Sequence, residues 1–176
     1  MVITLIGYRG SGKSTVAAPL AERLGWSWTD ADAVIEQRAG CSIREIFAAE
    51  GEPGFRRRER DVLSELLRGD KLVIAAGGGA ILNADTRADM RAAGPVVWLR
   101  ASVETLASRI AGDTTTAERR PSLASGGVQE IRDLLAFREP LYAECATVVI
   151  DTEGLSPEKI VERIVKNASP PLSKGG

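Results

Sequence analysis

Residues Gly7-Tyr8-Arg9-Gly10-Ser11-Gly12-Lys13-Ser14-Thr15 stand between an apolar run, Val2–Ile6, and an amphipathic run that lasts to Leu24. Glycine, four residues, then Gly-Lys-Ser is the spacing of a phosphate loop, and the flanks supply a strand before it and a helix after it. Glycines let the backbone curl so that several N–H groups converge on a triphosphate, with no Cβ in the way. The helix that opens there adds orphan donors and the positive end of its dipole. Lys13 can reach the β- and γ-phosphates, and the Ser14 hydroxyl can sit on Mg2+. The chain is therefore predicted to bind a nucleoside triphosphate, with Gly10, Ser11, Gly12, Lys13, Ser14 and Thr15 around its phosphates.

Beyond the loop, elements alternate. A helix over 14–24 stops at Gly25, and a short strand over 26–29 delivers Asp30-Ala31-Asp32. A helix over about 33–39 follows. Ser42 and Glu45 form a capping box for the next one, which Glu52-Pro53-Gly54 should break before a helix over 55–68. The strand over 72–76 runs into Gly77-Gly78-Gly79. Asn83 caps a helix to about 93, a strand covers 96–99, and a helix covers 102–111. A helix over 127–138 should end near Pro140, a last strand covers 146–150, and Ser156-Pro157 starts the final helix. Strands alternating with helices predict an α/β fold, a parallel sheet covered on both faces. One domain is expected over 1–168, with a polar, aperiodic surface lid over about 112–125 and a flexible tail over 169–176.

Composition narrows the chemistry. A net charge of −1 gives no electrostatic reason to expect nucleic acid or an anionic membrane surface. No apolar run approaches the roughly 18 residues of a membrane helix. The N-terminus opens on a strand without a basic region, so no signal peptide is expected and the reading is cytoplasmic. There is no histidine, so any general base is a carboxylate, lysine, tyrosine or cysteine. Cys41 and Cys145 lie far apart outside any metal-binding spacing and read as small apolar residues. Eighteen arginines against five lysines suggest that anions are gripped by guanidinium forks.

A phosphate loop alone does not name the acceptor. Guanine readers usually carry Asn-Lys-x-Asp, whereas Asn83 and Asn167 are each followed by alanine. Asp30 and Asp32 leave a strand end, where ligands of open parallel sheets sit. They read equally as a metal-side and an acceptor-side carboxylate, or as a helix cap followed by a solvated acid. Helical wheels add two anomalies. On the 55–68 helix, Phe55, Val62, Leu63, Leu66 and Leu67 share a face that Arg56 borders and Glu59 occupies, while Arg57 points away. On the 127–138 helix, Arg138 falls close to the centre of the face made by Val128, Ile131, Leu134 and Leu135. An inward arginine needs an anion, either a structural carboxylate or that of a ligand; two of them beside a glycine-lined cleft favour a carboxylate-bearing substrate. In the polar loop, Arg119 and Arg120 read either as a cation that closes over phosphates or as solubilising charge.

Six segments together resemble the shikimate kinase family, of the nucleoside monophosphate kinase fold. They are the phosphate loop; Asp30-Ala31-Asp32 with Val34-Ile35-Glu36; Phe55-Arg56-Arg57; Gly77-Gly78-Gly79-Ala80; Arg120-Pro121-Ser122-Leu123; and Arg138-Glu139-Pro140-Leu141-Tyr142. The resemblance covers most of the chain. It implies transfer of the ATP γ-phosphoryl group to the 3-hydroxyl of shikimate, a step toward chorismate and the aromatic amino acids. By motif, Asp32 would hold the acceptor hydroxyls and act as base, Arg56 and Arg138 would grip the shikimate carboxylate, and Gly77, Gly78 and Gly79 would line the acceptor site. Glu59 would orient Arg56. Asp30 would hold Mg2+ beside Ser14, Arg120 and Lys13 would flank the phosphates, and Arg109 would lie against the adenine. The partners implied are shikimate and ATP alone, in a monomer. Two rivals remain: a gluconate-type kinase, which has no need of two inward arginines, and a nucleotide-binding regulator that transfers nothing.

Overall fold

In the computed structural model, which describes residues 1–112 and 127–168, five strands pair in parallel. They are β1 (Val2–Ile6), β2 (Ser27–Asp30), β3 (Leu72–Ala75), β4 (Val96–Arg100) and β5 (Val148–Asp151), in the order β2-β3-β1-β4-β5. The expected lid, apart from Gly112, and the expected tail lie outside the described residues. Seven helices are described: α1 (Lys13–Leu24), α2 (Ala31–Ala39), α3 (Ile43–Leu66), α4 (Ala84–Ala93), α5 (Val103–Ala111), α6 (Gly127–Cys145) and α7 (Pro157–Ala168).

The expected sheet with two covered faces is what forms, and side-chain alternation shows why. On β1, Val2 and Ile6 join a core with Leu63, Met90, Leu106, Ile131 and Tyr142, beneath α3 to α6. Ile3 and Leu5 join the opposite core with Val16, Leu20, Ile160 and Ile164, beneath α1 and α7. β4 divides in the same way, with Val96 and Trp98 on one side and Val97 and Leu99 on the other. Since both faces are buried, a one-residue slip would exchange two differently shaped sets of neighbours, which pins the register. A third cluster, Ile35, Ile43, Ile46, Phe55 and Val62, holds α2 against α3 at one side of the sheet.

Two boundaries differ from expectation. The kink in α3 falls at Gly51, with φ 68° and ψ −175°, not at Glu52-Pro53-Gly54. That backbone conformation is open essentially to glycine alone, and Pro53 then occupies the first turn of the renewed helix, where its missing N–H costs nothing. The last long helix, α6, passes through Pro140 and continues to Cys145. Proline forfeits one hydrogen bond and crowds the preceding turn. Tyr142 and Cys145, both 0% exposed, anchor the turn beyond it. Burial also pushes the Cys145 thiol up to about 11, so it stays protonated and behaves as a core residue.

Gly51→Ala should cost about 1–3 kcal/mol of stability, because alanine is strained in that backbone region. Thermal unfolding followed by circular dichroism should show a lower midpoint; an unchanged midpoint would mean that the kink relaxes freely.

Candidate active site

Register brings the site together. Asp30 on β2 lies beside Ala75 on β3, and Ala75 lies beside Leu5 on β1. Each of the three chains leaves the sheet just past that line, into Asp32, into Gly77–Gly79 and into the phosphate loop. A cleft of about 630 Å3 opens above them, lined by residues 9–16, Asp30, Asp32, Gly77, Gly78 and Arg109.

At the phosphate end, Gly10 and Gly12 take φ values of 83° and 97°, turning the loop into the start of α1. The Lys13 ammonium donates to the carbonyls of Gly7 at 2.7 Å and Tyr8 at 3.1 Å, so it lies folded along its own loop. Thr15 is exposed on the first turn of α1. The Ser14 hydroxyl donates to Asp30 Oδ2 at 2.7 Å, while Asp30 Oδ1 accepts from the backbone N–H groups of Asp32 at 2.9 Å and Ala33 at 3.3 Å. Asp30 caps α2, which begins at Ala31, two residues earlier than expected, and its other oxygen meets Ser14. Two hard oxygens at the phosphate end form a donor set that suits Mg2+.

At the acceptor end, Arg56 and Arg138 rest on consecutive glycines. A Cβ on Gly79 would come within 2.6 Å of Arg56 Nη1 and 2.7 Å of its Cζ, whereas one on Gly78 would stand 3.7 Å from Arg138 Nη1. Arg56, its side chain 22% exposed, bonds to Glu59 at 2.9 Å and more loosely to Glu52 at 3.3 Å. Glu59 is buried and Arg57 is exposed. Arg138 is held differently. It is only 9% exposed, and among the described residues no carboxylate lies within ion-pair reach of it. Its guanidinium stands over the Tyr8 ring, 5.8 Å from the centroid, and its charge acts on the buried Tyr142 phenol one turn along α6. Burial raises the pKa of both tyrosines, against the pull of Arg9 and Arg138 on Tyr8 and of Arg138 on Tyr142, so both phenols are neutral at physiological pH.

Arg109 spans the other end, donating through Nη1 to the carbonyls of Gly10 at 3.3 Å and Ser11 at 3.4 Å. Leu155, Pro157 and Ile160 line the cleft there with it. Sequence reasoning missed Pro157 and Ile160, because residues at the start of an amphipathic helix read as cap and core; their position just past the end of β5 is the signal that they share the ligand edge of the sheet. It also missed Arg9, a variable position of the phosphate loop that lines the cleft, and the contact of Tyr142 with the Gly78 carbonyl. Arg120 lies outside the described residues.

The family model for shikimate kinase matches residues 9–169. Shikimate kinase from Rhodopirellula baltica is 47% identical over 165 residues, covering 93% of this chain and 88% of its own length. The Pseudomonas aeruginosa enzyme is 44% identical, covering 93% and 94%. Among solved structures, shikimate kinase from Acinetobacter baumannii, determined in complex with shikimate, superposes with a TM-score of 0.87 at 41% identity, covering 94% of this chain and 90% of that one. A gluconokinase from Sinorhizobium meliloti, at 20% identity and a TM-score of 0.63, shares the fold alone. By sequence, fold and length of match, the chain belongs to the shikimate kinase family.

Proposed function

We propose that the cleft transfers the γ-phosphoryl group of ATP to the 3-hydroxyl of shikimate, giving shikimate 3-phosphate and ADP. The observation that carries this is Arg138: a buried guanidinium with no carboxylate paired to it among the described residues, one glycine along from a second guanidinium, is a receptor for the acid group of a ligand. Arg56 supplies the other half of the grip, with Glu59 fixing its orientation and Gly77, Gly78 and Gly79 keeping the floor low enough for a ring to lie close. Asp32 lines the same cleft and is the base that accepts the 3-hydroxyl proton as the oxygen attacks the γ-phosphorus.

Gly10, Ser11, Gly12 and Thr15 present backbone N–H groups to the phosphates. Lys13 turns from the Gly7 and Tyr8 carbonyls to the β- and γ-phosphates, and Arg120 is assigned to the same phosphates by its motif; both would stabilise charge that grows on the leaving ADP. Ser14 Oγ and Asp30 Oδ2 would hold Mg2+, which supplies positive charge to the phosphate oxygens when bound. Arg109, with Leu155 and Pro157, receives the adenine. We extend the proposal to a monomer working in the cytoplasm, with dissolved substrates only.

The test is ADP release with Mg2+-ATP against shikimate, quinate and gluconate. Turnover with shikimate alone is expected; gluconate turnover would overturn the assignment. Asp32→Asn should lower kcat by about 10²–10⁴-fold while ATP still binds. Full activity would remove Asp32 as the base. Gly79→Ala should push Arg56 from its seat and raise the KM for shikimate about tenfold or more, with the KM for ATP unchanged. Equal changes in both constants would point to general loosening of the cleft instead.

A further inference from the structure

Arg56 and Arg138 face the same end of the cleft, yet they are held by opposite means. Arg56 leans on two glutamates. Arg138, more deeply buried, has aromatic rings and a phenol around it. A carboxylate at Arg138 would orient it but would also neutralise the charge that a ligand's carboxylate is to meet. A neutral phenol orients without neutralising.

Tyr142 has the geometry for this. It follows Arg138 by four residues on α6, so the two side chains share one face of the helix. It is 0% exposed, and its ring stacks on Trp98 of β4 at a centroid separation of 5.5 Å and an interplanar angle of 26°. Its hydroxyl donates to the Gly78 carbonyl at 2.5 Å. A phenol has one proton to give, and that proton is committed to Gly78; only oxygen lone pairs remain for Arg138, which is itself donor-only. Through that bond Tyr142 ties α6, one turn beyond Arg138, to the glycine beside which Arg138 stands, since a Cβ on Gly78 would lie 3.7 Å from Arg138 Nη1.

We propose that Tyr142 is a positioning residue for the acceptor, its phenol, fixed on Gly78 and Trp98, aiming Arg138 while leaving that charge for the ligand. The Tyr8 ring supports the guanidinium from a second direction and completes the holder. This rests on the reading of Arg138 as a receptor for the acceptor's carboxylate.

The experiment is a kinetic cycle on the full chain. Tyr142→Phe keeps the stacked ring and removes the oxygen. It should raise the KM for shikimate about five- to tenfold while kcat and the KM for ATP stay within about twofold of wild type. In an Arg138→Ala background the same change should have no further effect on the KM for shikimate, because Tyr142 acts through Arg138. KM does not depend on how much of a preparation is folded, so a poorly yielding variant still reports. Tyr8→Leu, which leaves the Gly78 contact intact, should raise the same KM independently. An unchanged KM for shikimate in both tyrosine variants, or a full additional effect of Tyr142→Phe on Arg138→Ala, overturns the proposal. Wild-type enzyme without shikimate turnover overturns the assigned reaction itself, and the positioning role falls with it.

Discussion

A guanidinium taken out of water must be compensated, and the arrangement of the acceptor site follows from how that is done at Arg138. An isolated buried charge is among the most unfavourable features a fold can carry. Here, among the described residues, it is the Tyr8 ring face and the neighbouring neutral Tyr142 phenol, rather than a paired opposite charge, that surround it. The result is a site whose electrostatics are left incomplete in the free protein. On the proposed reading the ligand's carboxylate completes them, and selectivity for an acid would follow from that deficit more than from shape.

The sheet makes the deficit useful. Parallel strands in fixed register bring three separate chain segments to one edge, and the two cores on either face hold that register against slippage. The phosphate loop follows the central strand, the glycine floor its neighbour, and the carboxylates the strand beyond.

Much of this could be read from residue order, and the exceptions have physical causes. The phosphate loop is legible because its chemistry admits few residue types. Glu59 and Arg138 are legible because helical periodicity points them inward, where charge is out of place. Asp30 was ambiguous between cap and metal-side acid because a carboxylate has two oxygens, and here one caps α2 while the other meets Ser14. Pro140 misled because proline's local penalty is known, whereas the burial of Tyr142 and Cys145 that outweighs it depends on tertiary neighbours. The kink at Gly51 was displaced toward Pro53 for a related reason: proline advertises a break, but the glycine before it supplies the forbidden angle. Pro157 and Ile160 were invisible as cleft residues because only topology distinguishes a ligand edge from a core.

The double engagement of Asp30 has a mechanical meaning. One carboxylate is clamped to the Ser14 hydroxyl through one oxygen and to the amides of Asp32 and Ala33 through the other. The first turn of α2 is thereby bolted to the first turn of α1, and Asp32 cannot drift from the phosphate loop without one bolt giving way. The spacing between the two ends of the reaction is machined into a single side chain three atoms long.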